Sequence, residues 1–413
     1  MPGVCVVGAG VVGLSSAWYL AEAGWRVTLL EQAAVVGSGA SYRNGGQLSY
    51  RYVSPLADRG VPLKALKWLM QADGPLRFRP RADPAQWLWL ARFLSHCHGR
   101  ANRQTTERLA RLGAYSKDCL TRLMHEHQVP PFDWREAGKL VVYRSPAGFE
   151  RAARGIGAAQ QVLGADECVA REGALAALQS RLAGGIYTSD EAVADCHRFC
   201  LALDSMLAAH PNFAGRITAT AQRFEATAAQ RLRLHTSDGV IDSEQFVLAA
   251  GNASAALAAT LGVRLPIYPL KGYSLSAPIA AHHQAPAISV TDFECKTLYA
   301  RIGDQLRIAA MVDLVGYDTR IAPGRIAGLL RRARNDMPLA ADYQQAEPWA
   351  GLRPATPDGA PIIGPSPVPG LWLNTGHGPL GFTFACGSAS LLAHVMSEGS
   401  SPIPMDGLTW QDR

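Results

Sequence analysis

The sequence predicts an α/β chain, α+β overall, with a parallel βαβ unit at one end and an antiparallel sheet inserted later. Three observations predict it. The first is a short apolar run (Val4, Val6, Val7), then Gly8-Ala9-Gly10-Val11-Val12-Gly13, a helical stretch over 14–23, Gly24 as a stop, and a second apolar run over 27–30 ending in Glu31. The second is a set of alternating runs between 267 and 310, among them Tyr273-Ser274-Leu275-Ser276 and Leu306-Arg307-Ile308-Ala309, with the period of two of half-buried strands. The third is another strand–glycine–helix passage: Leu371-Trp372-Leu373, then Gly376-His377-Gly378-Pro379-Leu380-Gly381, then a helix over about 384–396.

The first passage is specific because order and spacing agree. A GxGxxG alone is weak; flanked by strand, helix, strand and an acid some 20 residues on, it is a dinucleotide fingerprint. Gly8 allows the tight turn, Gly10 lets backbone approach a pyrophosphate, and Gly13 lets the helix lie on the strand. The helix N-terminus offers free N–H groups to phosphate. Glu31 can accept hydrogen bonds from a ribose diol and would repel a 2′-phosphate.

The remaining elements follow in order. Residues 37–54 are rich in Gly, Ser and Asn and read as a loop held against something. Residues 62–128 read as mainly helical, 139–143 as a strand and 146–162 as a helix. A helix carrying Phe199, Leu203 and Leu207 follows Thr188-Ser189-Asp190-Glu191, and strands over 217–224, 231–236 and 245–249 return to the first sheet. The run Phe246-Val247-Leu248-Ala249-Ala250-Gly251-Asn252 is a third strand–glycine turn. The second GxGxxG lacks a following strand that ends in a ribose-binding acid, so it reads as half of a nucleotide unit. Its helix N-terminus would close the first site from the far side and favour negative charge there.

Composition bounds the class. The chain has 413 residues, 48% hydrophobic and 18% charged, enough for two domains with a real core. No uninterrupted apolar run reaches a membrane span, and no secretory leader is visible, so a cytoplasmic protein is expected. Eight cysteines without a CxxC pair are expected to be reduced thiols, with no metal site. The net charge of +6 is uneven: residues 61–111 hold ten basic residues against Asp73, Asp83 and Glu107, interleaved with Trp68, Trp87, Trp89 and several leucines. This segment reads either as amphipathic helices with solvated arginines outside, or as a surface for anionic lipid or an acidic protein partner. Nucleic acid is a poor fit, because no matching motif accompanies the charge.

Taken together, these motifs resemble a known family. The stretches GAGVVG with Glu31, Ser41-Tyr42-Arg43-Asn44-Gly45-Gly46-Gln47-Leu48, Pro269-Leu270-Lys271-Gly272-Tyr273-Ser274-Leu275, Gly351-Leu352-Arg353-Pro354-Ala355-Thr356-Pro357-Asp358-Gly359 and Leu373-Asn374-Thr375-Gly376-His377-Gly378-Pro379-Leu380-Gly381 look like bacterial FAD-dependent D-amino acid dehydrogenases, within the D-amino acid oxidase and glycine oxidase superfamily. The resemblance runs over nearly the whole chain. It implies a Rossmann-type FAD-binding domain assembled from residues 1–60, 150–265 and 350–413, and a substrate domain from 61–149 and 266–349.

The resemblance also implies roles. FAD would be held by Gly8, Gly10, Val11, Val12, Gly13, Glu31 and Gln32 on the ADP side. Ser41, Asn44, Gly46, Gln47 and Leu48 would follow it toward the flavin, with Ala221 at adenine and Ala250 and Gly251 beside the pyrophosphate. Gly376, His377, Gly378, Leu380, Gly381 and Thr383 would line the flavin ring. Arg353 resembles the carboxylate-binding arginine; its planar fork can take both oxygens. Tyr273 is expected as a second donor to that carboxylate, with Tyr52 weaker. The implied reaction is hydride transfer from the Cα of a D-amino acid to flavin N5, giving an imino acid and then a 2-oxo acid and ammonia. Electrons would pass to a quinone or dye, through a peripheral membrane contact by 61–111 or through accessory electron-transfer subunits. Gly138-Lys139-Leu140 and Glu191-Ala192-Val193-Ala194-Asp195 depart from the family pattern and put side-chain preference in doubt. The runner-up readings are a D-proline or cis-4-hydroxy-D-proline dehydrogenase and a glycine or N-methyl-amine oxidase.

Overall fold

A computed structural model describes residues 2–71, 74–157, 159–227 and 231–413. Asp73, one of the three acids of the basic segment, lies outside the described residues. The chain opens with β1 (Gly3–Val7), α1 (Val11–Glu22) and β2 (Arg26–Glu31), followed by the short β3 (Gln47–Leu48). Then come α2 (Val61–Leu69), β4 (Leu76–Phe78), α3 (Pro84–His96) and α4 (Gly99–Glu126). Next are β5 (Lys139–Tyr143), α5 (Pro146–Ala153), β6 (Gln160–Leu163), α6 (Ala165–Arg171), β7 (Gly184–Thr188), β8 (Ala192–Val193) and α7 (Cys196–Ala208). Strands β9 (Phe213–Thr218), β10 (Ala221–Ala226), β11 (Leu232–Thr236), β12 (Gly239–Asp242) and β13 (Gln245–Leu248) precede α8 (Ala253–Ala259). The last third holds β14 (Tyr268–Pro278), β15 (Ser289–Asp292), β16 (Thr297–Ile302), β17 (Gln305–Leu314), α9 (Pro323–Asp336), β18 (Glu347–Ala355), β19 (Ile362–Pro365), β20 (Leu371–Thr375) and α10 (Gly381–Glu398). Helix starts follow local chemistry: Asp83, Ser145 and Asp195 each accept a first-turn N–H with their side chains, and Pro84 and Pro146 sit where no N–H is needed.

Six strands form the first sheet, in the order β19-β20-β13-β1-β2-β9. β1 lies at its centre, parallel to both β13 and β2. Alternation along β1 builds two cores. Val4 and Val6 face a layer of α1, α4, α7 and α10, whereas Cys5 and Val7 face β10, β11 and α8. Among the described residues one helical stretch, Gly378–Glu398, is long and apolar enough to cross a membrane. Its apolar surface is instead covered by α1 and α4.

The second sheet has nine strands, ordered β18-β14-β17-β16-β15-β5-β7-β6 with β4 beside β17. Its far face packs on α9 through Leu275, Ala277, Ile308, Leu329 and Ala333. Its near face meets the loop before β3. Gly45 and Gly46 allow that approach: a Cβ on Gly45 would touch Leu298 and Ala309 at 3.3 and 3.6 Å, and one on Gly46 would overlap Ile302 at 2.2 Å.

The segment boundaries differ from those read in the sequence. β6 and β7, expected in the first domain, belong to the second sheet, as does β18 with Arg353. α4, expected in the substrate domain, buries Leu109, Leu112, Leu120 and Leu123 in the first core. These runs look alike in sequence; hydrogen-bonded register decides which sheet they join.

Candidate functional site

The glycine fingerprint makes a crossing of three chain segments. Gly8 has φ +104°, and a Cβ there would lie 2.7 Å from the Ala249 carbonyl and 2.9 Å from Ala250 Cα. A Cβ on Gly13 would lie 1.8 Å from the Gly8 carbonyl oxygen. These positions therefore admit only glycine, and they bring the turns after β1 and β13 into contact. The first N–H groups of α1 have no partner within the helix. Ser41 Oγ accepts from the Val11 N–H at 3.1 Å, with Gly10 as the N-cap and Val12 following in the first turn. Glu31 ends β2, and its carboxylate accepts from the Ala9 and Ala33 N–H groups at 2.7 and 3.0 Å. Those two bonds orient it and leave lone pairs for a ribose diol. Gln32 is exposed beside it. Ala221 opens β10, two residues past Ala219, whose N–H donates to the Glu31 carbonyl. Gly251, at φ +56°, turns the chain after β13. These residues fit the ADP half of FAD: a backbone cradle that a Cβ would fill, a helix N-terminus and a fixed carboxylate.

The second glycine passage lies opposite. β20 runs beside β13, and the turn at Gly376 (φ +79°) leads to His377, a 3-10 turn at Gly378–Leu380, and α10. His377 is buried; its Nε2 lies 3.0 Å from Ser388 Oγ, and burial pushes its pKa down to about 3, so the ring is neutral. Thr383 Oγ1 accepts from the Ser49 N–H at 3.2 Å, joining the first turn of α10, which Gly381 begins, to the segment after Leu48. Asn44 and Gly46 form the preceding turn through an Asn44 Oδ1–Gly46 N–H bond of 2.9 Å.

Arg353 stands on the near face of the second sheet. Its guanidinium lies over Gly272, where a Cβ would be 2.3 Å from the nearest nitrogen. Among the described residues it makes one hydrogen bond, to the Met311 carbonyl at 3.1 Å, and no ion pair. It keeps accessible surface, yet desolvation pulls its pKa down to about 10, against the opposing attraction of Asp313. Both hold for a cation at the bottom of a recess, with donors free for an anion. Met311 holds its carbonyl there at φ +72°, a conformation rare for a non-glycine residue, where β17 bulges against β14.

Tyr273 corrects the reading of the sequence. In the β14–β18 register Leu270 opposes Arg353, while Tyr273 opposes Ala350. Tyr273 therefore stands on the other face, 2% exposed, with its hydroxyl donating to Asp313 at 3.1 Å and Arg325 near its ring. It packs against the α9 side and cannot share a ligand with Arg353. Tyr52 is on the site side of the sheet, with Lys139 Nζ 4.4 Å from its ring centroid.

The sequence reading missed four residues here. Gly272 makes room for the guanidinium. Asn252 donates to the Leu352 carbonyl at 2.9 Å, tying the β13 turn to the arginine's strand. Lys139 and Glu191 lie under the loop after β3, 3% and 1% exposed. Their only signal in sequence was departure from the family pattern around them. All eight cysteines are free, and no cluster of metal-ligating side chains occurs among the described residues. An open concavity of about 810 Å³ between Arg79, Arg81, Tyr317 and Arg320 lies outside this site.

The FAD dependent oxidoreductase family profile matches residues 3–395. D-amino acid dehydrogenase 2 of Pseudomonas aeruginosa is 49% identical over 411 residues, covering 98% of this chain and 97% of that protein. D-amino acid dehydrogenase of Paramagnetospirillum magneticum is 45% identical over 412 residues, covering 98% and 97%. Among solved structures, glycine oxidase from Geobacillus kaustophilus superposes with a TM-score of 0.74 at 22% identity, covering 99% of each chain. That likeness carries the fold. A profile match over nearly the whole chain, on a framework whose glycines and carboxylate fit FAD, places this chain in the family of FAD-dependent oxidoreductases.

Proposed function

We propose that the protein is an FAD-dependent D-amino acid dehydrogenase. One observation carries the reading: Arg353, a guanidinium with unoccupied donors, recessed on the sheet face turned toward the cofactor loop. An α-carboxylate is the anion that such a fork orients, and its two parallel hydrogen bonds fix the adjacent Cα as well as the charge. The relatives named D-amino acid dehydrogenase supply the substrate class. FAD, when bound, supplies a two-electron hydride acceptor at its flavin ring. Arg353 would hold the substrate's carboxylate, and the substrate would react with its amine neutral, its ammonium proton lost to solvent. With FAD bound as acceptor, loss of a hydride from Cα and of a proton from nitrogen to solvent would leave a C=N bond. Water then adds to the imino acid, giving the 2-oxo acid and ammonia. His377 stays neutral through burial and so adds no cation to the glycine turn.

The electrons then pass to a quinone or dye-type acceptor. The basic segment supports docking at an anionic membrane surface. Leu63, Met70, Trp87 and Leu88 are 77%, 88%, 48% and 52% exposed on or beside α2 and α3, while Trp89 is buried. Lys64, Lys67 and Arg92 are exposed among them. Co-sedimentation with anionic vesicles at low salt tests this part; no binding refutes it.

Anaerobic mixing of the yellow protein with D- and L-amino acids, including D-proline and glycine, tests the activity. Bleaching by D-amino acids alone is expected. Bleaching by L-amino acids only, or by none, overturns the assignment. Steady peroxide formation in air would identify an oxidase.

A further inference from the structure

The segment from Gln47 to Tyr52 leaves the cofactor loop and passes the start of α10. Every one of its six residues has a partner on Lys139, Glu191 or β8. Lys139 Nζ donates to Gln47 Oε1 at 3.0 Å and to Ser49 Oγ at 2.7 Å, and it faces the ring of Tyr52 at 4.4 Å. Glu191 accepts from the Tyr50 and Arg51 N–H groups at 3.0 and 2.8 Å. Leu48 pairs with Ala192 through β3 and β8. Two buried side chains of opposite charge thus grip five of six consecutive residues, and short strand pairing grips the sixth.

Burying a lysine and a glutamate carries a large desolvation penalty, and a well-packed apolar pair is often at least as stable. The ammonium, however, has two oxygen acceptors and an aromatic face, and the carboxylate has one backbone donor on each oxygen. What this pair specifies is the conformation of one segment. Burial moves both groups toward neutrality: it pulls Lys139 down to about 8 and pushes Glu191 up, while their mutual attraction opposes both shifts.

Lysine also dictates an amide orientation. An ammonium only donates, so Gln47 must present its carbonyl oxygen to Lys139. Its NH2 group then turns toward Ser289 and Thr291, as observed. By strand register Lys139, Ser289, Thr291 and Leu298 share one face of the sheet, the face on which Ala309, Ser274 and Arg353 also lie.

We infer that Lys139 and Glu191 are positioning residues for the flavin: together they hold 47–52 in one conformation, and Lys139 fixes the carboxamide orientation of Gln47. This rests on the reading of Gln47, Leu48 and Thr383 as flavin-lining, and not on the identity of the substrate. The test uses full-length Lys139→Met, Glu191→Gln and the double variant. The readouts are the FAD Kd from titration of apoprotein, the visible spectrum of bound flavin, and Tm with and without saturating FAD. Each single variant is expected to raise the Kd at least about tenfold and to shift the flavin bands. The double variant, with no unpaired buried charge, is expected to regain apoprotein Tm but neither the Kd nor the spectrum. If a single variant does not fold, Lys139→Gln, which keeps a donor without the charge, is read in the same way. A Kd within about twofold of the parent with a superimposable spectrum overturns the inference. So does a double variant that restores Kd and spectrum together with Tm, since the pair would then serve folding alone. None of these readouts involves an amino acid substrate, so they stand apart from the bleaching experiment.

Discussion

Gly272→Ala moves Arg353, the proposed carboxylate anchor, without altering it. Gly272 lies in β14 with no positive φ, so its backbone accepts alanine. The added Cβ would sit 2.3–2.4 Å from the Arg353 guanidinium atoms, whereas ordinary contact begins near 3.4 Å. The guanidinium must therefore shift by about 1 Å, and as the free end of a long side chain it can. A displaced fork keeps its charge but loses one or both carboxylate hydrogen bonds. A hydrogen bond to a charged group contributes about 1.5–3 kcal/mol, so kcat/KM on D-amino acids should fall by roughly 10- to 150-fold, with most of the change in KM. Tm and FAD content should stay near the parent values, because the pyrophosphate cradle and Glu31 are untouched. Steady-state dye reduction under anaerobic conditions measures the loss, and the corresponding D-amino acid amides provide the control. Lacking the carboxylate, the amides should react slowly with the parent and no worse with the variant. A folded Gly272→Ala enzyme with unchanged kcat/KM, or with an equal loss on amides, refutes Arg353 as the carboxylate anchor.

Three further outcomes follow from other parts of the site. Gly13→Ala places a methyl 1.8 Å from the Gly8 carbonyl oxygen; with backbone on both sides of the clash, the protein should purify nearly free of flavin, as read from its flavin-to-protein absorbance ratio. Tyr273→Phe removes a donor to the buried Asp313 carboxylate, so urea unfolding should show a loss of about 1.5–3 kcal/mol while kcat/KM stays within about twofold; a large rise in KM would return Tyr273 to the substrate site. His377 is held from 6.5 down to about 3 by burial. Its contribution to stability is therefore complete above pH 6.5 and is lost as pH falls toward 3, at about 1.4 kcal/mol per pH unit. His377→Gln should flatten that acid limb in urea titrations of the apoprotein, and an unchanged slope would show that other groups set it.

What was legible in the sequence is what sterics or chemistry writes locally. Gly8, Gly13 and Glu31 could be read because one turn allows no Cβ and one strand end needs an acid. Arg353 is proposed from the specific motif around it. Tyr273 was misread because its role depends on which face of β14 it occupies, and a shift of one position exchanges the faces. Lys139 and Glu191 stood out only as departures from the family pattern, with no sign of what they touch. They lie far from Gln47 in the chain, and only the pairing of β5 with β7 and of β3 with β8 brings them beneath it. Domain boundaries failed likewise: β7 is an ordinary apolar run until its pairing with β5 and β6 is known.

The isolated bridge between Ala355 and His377 has a mechanical consequence. It ties the end of the arginine's strand to the glycine turn before α10. The proposed clamp for the carboxylate and the turn expected to line the flavin are thus joined directly through backbone. The span from anchor to glycine turn then keeps one length whatever the substrate. The enzyme would measure every substrate from its backbone end, and variation in side-chain preference should accumulate on residues far from that bridge.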